Sequence, residues 1–440
     1  MLLKSFKGGV HPRYFKDLTS GKSIRKIDPP DRFIIPLIQH TGGPCAPLVG
    51  VGDLVKKGQL IGKSDKYISS CVHASTSGKV VLIDKAPHPI LGKAQAITIE
   101  ADGRDEGVKD FSKVRDMGEI SPDEIRRKIE EAGIVGLGGA AFPTHVKMTI
   151  PENKKVDTII LNGAECEPYL TCDGRLMVER PKDILEGLGL MARAIGVDRA
   201  IIAIEDNKPE AIASIEKALQ NTQYKIRDTK VVTLATKYPQ GGEKQLIAAS
   251  LGREVPPCGL PFDVGVVVSN AGTALAVYEA ISKDKPLFER VVTVSGDCIK
   301  EPSNLLVRIG TPIKALIDAC GGFKKRPKRL IMGGPMMGVA QTSTEVPVIK
   351  GTSGILALSG EFTGGREEGP CIRCARCVDV CPMRLLPTDI VRLARKARYE
   401  DAKGLNISDC MECGACTHEC PARIPLVQWI RLGKMNIPKG

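Results

Sequence analysis

The chain has little to stack with and nothing with which to span a membrane. Aromatic residues make up 4% of its 440 positions, with a single tryptophan, which excludes a base-stacking platform as its main surface. No apolar run reaches the roughly 18 residues of a membrane-crossing helix. The opening MLLKSFKGGVHPRYF has too short an apolar stretch for a secretory leader. A cytoplasmic protein is therefore expected. Charge gives little focus either: the net charge is +12, with lysines and arginines mostly dispersed. That pattern speaks against nucleic acid and for an anionic membrane surface or an acidic protein as partner. Hydrophobic residues at 42% exclude wholesale disorder, and the length allows two to four domains.

Cysteine is what the chain has in excess. Of fifteen, eight fall between Cys371 and Cys420. CIRCARCVDVCP (371–382) and CMECGACTHECP (410–421) both read C-x2-C-x2-C-x3-C-P, the run for a cubane 4Fe–4S cluster. Three thiolates spaced by two residues converge on one cube, and the fourth, beside proline, reaches the other. The expected ligand sets are Cys371, Cys374, Cys377 and Cys420 for one cluster, and Cys410, Cys413, Cys416 and Cys381 for the second. Structural zinc does not explain a repeated run of this kind. The intervening segment carries Ile390, Val391, Leu393 and Ala394 at helical spacing, so a mainly helical two-cluster module is expected. The other seven cysteines show no ligand spacing and read mostly as buried thiols.

From about residue 120 the pattern alternates. Strands are expected over 156–162, 199–205 and 230–236, and helices over 181–196, 208–220 and 242–252. This is a mostly parallel, doubly wound α/β sheet. Four loops sit at strand ends or open helices: GLGGAAFPTHVK (136–147), NGAECEPY (162–169), YPQGGEK (238–244) and SNAGT (269–273). Glycines admit a phosphate to backbone amides, and a helix N-terminus favours its charge. A nucleotide site is the reading they share.

In that order the four loops resemble the flavin-bearing, NADH-binding subunit of respiratory complex I and of NAD-linked hydrogenases and formate dehydrogenases, over about residues 120–345. The resemblance implies that Gly136, Gly138, Gly139 and Ala140 cradle an FMN phosphate, with Lys147 nearby. It implies that Asn162, Glu165 and Asn270 hold the flavin, and that Phe142 stacks on the nicotinamide dinucleotide. Glu167 and Glu243 would line the NADH pocket, with Gly241 and Gly242 in the same loop. Glu243 is the candidate catalytic residue, tuning the ring or orienting NADH. Leu137 and Ala141 stand where that family usually has arginine and glycine, and Gly242 where it has a glutamate.

Residues 30–100, with VGVGDLVKKGQLIGKS, resemble a biotinyl/lipoyl carrier, a β barrel-sandwich hybrid, but without a flanked carrier lysine. Residues 291–322 resemble the β-grasp (SLBB-like) module of the complex I protein. The expected domains are 1–110 (hybrid barrel), 111–285 (FMN/NADH-binding, Rossmann-like), 286–355 (β-grasp) and 356–440 (two-cluster, ferredoxin-type). Barrel first and two clusters last resembles the RnfC family of the Rnf complex, a membrane-bound, ion-pumping ferredoxin:NAD oxidoreductase. What that implies is an NAD(H)-reactive oxidoreductase subunit passing electrons between NAD(H), FMN and two 4Fe–4S clusters. It would sit peripherally on the cytoplasmic side of the membrane, with membrane-spanning and iron–sulfur subunits as partners and ferredoxin as an indirect one. Two alternatives are a soluble hydrogenase or formate dehydrogenase subunit and a non-catalytic relay or assembly subunit.

Overall fold

The computed structural model describes residues 3–115, 120–221, 226–360 and 367–437. Its centre is a four-stranded parallel sheet ordered Asp228–Leu234, Arg199–Glu205, Thr158–Gly163, Val266–Asn270. Ile159, Leu161, Ile202 and Val267 face helices Pro122–Glu131, Pro181–Ile195, Pro209–Asn221 and Ala271–Lys283 on one side. Ile160, Ile201 and Val268 face Glu243–Leu251 on the other. Burial on both faces is why these strands read as unbroken apolar runs. The helix expected over 181–196 forms with Pro181 in its first turn and Gly196 closing it at φ 72°, as proline and glycine preferences dictate.

The barrel-sandwich hybrid consists of two antiparallel sheets. One is Arg32–Pro36, Gly92–Ala101, Gly78–His88 and Leu54–Val55; the other is Ala46–Pro47, Leu60–Lys63 and Val72–His73. Phe33, Ile35, Ile61, Val72, Ile97 and Ile99 fill it. The β-grasp module is a six-stranded mixed sheet carrying helix Ile313–Ala319. The C-terminal module is helical, and Ile390, Val391 and Ala394 of Pro387–Arg395 are buried as their spacing predicts.

Residues 4–26 lie outside the barrel sheets and run across the other modules. Lys4 bridges Leu234 and Val10 bridges Tyr238. The Gly9 amide donates to the Val380 carbonyl at 2.8 Å. Arg25–Lys26 adds a parallel edge strand to Ser303–Arg308 of the β-grasp sheet. Lys16, buried, donates to the carbonyls of Glu165, Glu167 and Leu170 at 2.8, 2.9 and 2.6 Å. Of the seven scattered cysteines six are buried, while Cys258 is exposed.

Candidate nucleotide and iron–sulfur sites

The parallel sheet brings its strand C-termini to one edge, where loops 162–169, 238–244 and 269–273 converge, the usual ligand edge of such a sheet. Loop 136–147 folds back on itself, with the Gly136 amide on the Phe142 carbonyl at 2.8 Å. It reaches the same edge through the Leu137 amide on Thr273 Oγ1 at 2.9 Å. Gly138, Gly139 and Ala140 are exposed, and Gly139 has φ 119°, a conformation only glycine adopts without strain. The helix Ala271–Lys283 opens beside them, capped by Asn270. A bare glycine turn facing a thirteen-residue helix N-terminus fits a phosphate.

The other candidates form the walls. Asn162 donates to the Gly241 carbonyl at 2.8 Å and accepts from the Ala164 amide at 3.1 Å. The Glu165 carboxylate accepts from the Asp173 and Gly174 amides at 2.7 and 3.1 Å, capping helix Cys172–Glu179. Asn270 donates to Asp173 at 2.6 Å. Lys147 and Glu243 form a half-buried ion pair at 2.5 Å. Phe142 is partly exposed on the same loop. Glu167 lies under the 333–338 turn of the β-grasp module, accepting the Met336 and Met337 amides at 3.0 and 2.8 Å. Desolvation lifts its carboxyl to about 7 although those two amides pull it down. Burial, then the charge of Glu165, pushes Asp173 up as well. Gln240, fully buried, has no partner for either amide atom among the described residues, as befits a loop that closes over a polar ligand.

The departures from the complex I pattern have local reasons. Leu137 is a core residue, and a cation arrives instead from Arg290, buried, which donates to the Leu137 carbonyl at 3.1 Å. Ala141 holds φ 49°, the left-handed conformation glycine would supply, at a cost of about 1 kcal/mol. A Cβ on Gly242 would lie 2.6 Å from both the Met411 methyl group and Gln245 Oε1, so a side chain there would have to displace the ends of two others where the cluster module packs. Arg290, Asp173, Tyr238 and Lys16 are site residues that the sequence did not single out. Asp173 follows the NGAECEPY loop closely and Tyr238 opens YPQGGEK. Arg290 and Lys16 carry no local signal.

Cys381, Cys410, Cys413 and Cys416 line one cavity, walled otherwise by apolar groups such as Pro382, Met383 and Leu385. The fourth cysteine of the first run thus joins the first three of the second. Burial pushes the Cys413 and Cys416 thiols up to about 12, and neighbouring thiols of the set push the same way. Iron bound by these sulfurs would lift that penalty, because a coordinated thiol gives up its proton. Burial also raises Cys377, which feels Cys420 and Cys371; Cys374 lies on the same exposed turn as Cys371. Both runs place left-handed residues between successive cysteines, Arg373 and Ala375 at φ 56° and 59°, and Glu412 and Gly414 at φ 59° and 77°. Two such wraps suit two clusters.

The two sites touch. Tyr238 Oη donates to the Cys413 carbonyl at 2.7 Å. Cys166, Tyr238 and Cys413 share one buried apolar cluster with Met411 packed against it.

Comparison with known proteins matches each module. Residues 4–104 match the RnfC barrel sandwich hybrid domain, 129–279 the Nuo51 FMN-binding domain, 291–340 the SLBB domain and 370–424 a 4Fe–4S dicluster domain. The C subunit of the proton-translocating ferredoxin:NAD(+) oxidoreductase complex of Clostridium ljungdahlii is 52% identical over 98% of this chain and 93% of its own. The Na(+)-translocating counterpart of Acetobacterium woodii is 46% identical over 98% and 97%. The C subunit of the ion-translocating oxidoreductase complex of Rhodobacter capsulatus is 45% identical over 98% and 82%. The H2-reduced crystal structure of an NAD+-reducing NiFe hydrogenase shares the fold, with TM-score 0.50 and 19% identity over 74% of this chain and 62% of that one.

Proposed function

The chain belongs to the RnfC family of ion-translocating ferredoxin:NAD oxidoreductases, and from that premise we propose how its residues connect NAD(H) to iron–sulfur clusters. It is the electron-transfer subunit that works between NAD(H), FMN and two 4Fe–4S clusters. It acts as one subunit of a larger complex.

In our reading the backbone of Gly136, Gly138, Gly139 and Ala140, with the helix beginning at Ala271, holds the FMN phosphate, with Lys147 nearby. Asn162, Glu165 and Asn270 orient the ring through the hydrogen bonds that tie their loops together. Phe142 offers a face to the dinucleotide. Glu243 positions NADH with its charge neutralised by Lys147, and Gly241 and Gly242 let that loop lie close. Glu167 supports the NADH side by fixing the 333–338 turn. When bound, FMN supplies the exchange between a two-electron hydride and the one-electron clusters. The chain's residues bind and orient both partners and exclude water. Cys371, Cys374, Cys377 and Cys420 hold one cluster, and Cys381, Cys410, Cys413 and Cys416 the other.

We keep the domain limits 1–110, 111–285, 286–355 and 356–440. No helix among the described residues is long and apolar enough to cross a membrane. We therefore assign ion movement to membrane-spanning partner subunits, place this chain on their cytoplasmic face, and take ferredoxin as an indirect partner. The observation that carries the reading is the Tyr238–Cys413 contact, which sets the nucleotide loop directly against a cluster loop. The test is the purified chain, reconstituted anaerobically with iron, sulfide and FMN. Bleaching of flavin and cluster absorption by NADH is expected. Clusters without bound flavin, and no response to NADH, would leave only a relay.

A further inference from the structure

The two cysteine sets differ in where they face. Cys413 and Cys416 are buried beside the nucleotide loops, whereas the stretch Cys371–Arg376 is exposed throughout. Around that outer mouth the arginines divide into two kinds. Arg384, Arg392, Arg395 and Arg398 are paired with Glu254, Asp389, Glu368 and Asp401. Arg373 and Arg376, between the cysteines, and Arg423, three residues after Cys420, are exposed and have no carboxylate partner among the described residues. The Gly369 amide bonds the Ala422 carbonyl at 2.9 Å, which lays the Arg423 backbone near the segment entering Cys371. Ile372, 66% exposed, gives the mouth an apolar centre. Two exposed carboxylates, Glu367 and Asp379, flank it, and the balance is still positive.

We propose that Arg373, Arg376 and Arg423, around Ile372, form the docking face for an acidic iron–sulfur protein. This rests on the function proposed above, in which Cys371, Cys374, Cys377 and Cys420 hold the outer cluster. Unpaired arginines keep their full desolvation and pairing potential for a partner, whereas the paired arginines nearby have spent theirs within the chain. An apolar centre inside a polar rim is the anatomy of a specific interface, and guanidinium groups pair carboxylates through a rigid fork. Complementary charge speeds encounter and fades with salt. A partner that carries carboxylates around its own cluster would meet the face on which Cys371 and Cys374 are exposed. The dispersed +12 charge becomes meaningful there, as three arginines with no ion-pair partner among the described residues that outweigh two flanking carboxylates.

The test measures binding of the full reconstituted chain to a small acidic ferredoxin with two 4Fe–4S clusters as the probe, at about 50 and about 300 mM salt. The variant R373E/R376E/R423E is compared with K79E/K85E/K93E, which makes the same charge change on exposed residues of the barrel. The docking variant is expected to raise Kd about tenfold or more at low salt and to flatten the salt dependence. The barrel variant should change Kd less than twofold, roughly, because its charges lie far from the interface. Equal weakening by both sets would show net charge alone at work and overturn the proposal, as would an unchanged Kd in the docking variant. If the reversals strip iron from the chain, R373Q/R376Q/R423Q is read instead, with a smaller rise in Kd expected. FMN content and bleaching by NADH are recorded for every variant. Their retention alongside unaltered ferredoxin binding would sink this docking face while leaving the proposed function standing.

Discussion

The Tyr238 hydroxyl donates to the Cys413 carbonyl across 2.7 Å, between two buried residues from modules far apart in the chain. Tyr238→Phe leaves that carbonyl without its donor in an apolar setting, at a cost of about 1–2 kcal/mol. We expect a lower melting temperature and slower reduction of the clusters by NADH. Reduction of an artificial dye at the flavin should be little changed. Equal losses in both rates would place the effect on NADH binding instead.

The crossed ligand sets make two cysteine variants unequal. Cys381→Ser removes a ligand of the inner set, although Cys381 belongs to the first run. The cluster that remains should then no longer be reduced by NADH. Cys420→Ser should lose the outer cluster and keep an NADH-reducible one. Electron paramagnetic resonance after NADH addition distinguishes them, and the reverse pattern would mean that each run holds its own cluster.

Glu167 should make stability depend on pH around neutrality. Its carboxyl sits at about 7 in the folded protein against 4.5 ordinarily, chiefly through desolvation. Between those values the folded chain keeps a proton that the unfolded chain has released. The contribution is therefore present at the acid end and lost as pH rises through about 7. Glu167→Gln should compare more favourably with the parent at about pH 8 than at about pH 6 in urea unfolding, since it avoids the buried charge. The same difference at both values would refute the assignment.

Lys16 holds the loop that carries Glu165 and Glu167 by three backbone carbonyls. Lys16→Met leaves all three without that donor and should cost about 3 kcal/mol. Because the loop flanks the nucleotide edge, FMN should be lost faster on dialysis than from the parent chain. A stable variant that keeps its flavin would show the lysine to be dispensable.

Much of this was legible in the sequence, for reasons that differ by module. The cluster ligands are written in short spacing, and the structure gathers Cys381 with the second run as that spacing implies. The parallel sheet showed itself through apolar strands buried on both faces, and through Pro181 and Gly196 marking a helix's ends. What local pattern could not convey was contact between distant segments. Lys16 reads as one lysine among many until it is seen beneath residues 165–170. Arg290 looks like a strand residue until its guanidinium is found on Leu137. Gly242 appeared to be a lost glutamate, and Met411, whose methyl group lies 2.6 Å from where a Cβ would stand, belongs to another module.

The segment of residues 4–26 has a consequence for how the chain is made. Its residues lie far along the chain from their partners: Lys4 meets Leu234, Arg25 meets Leu305 and Gly9 meets Val380. Contacts of such long sequence separation form late in folding. The segment 4–26 therefore fastens in steps, from the carbonyls of residues 165–170 that Lys16 holds to the Val380 carbonyl that Gly9 meets. A nascent chain that stalls before the cysteine runs lacks the Gly9–Val380 bond, and that end of the segment stays open to chaperones and proteases.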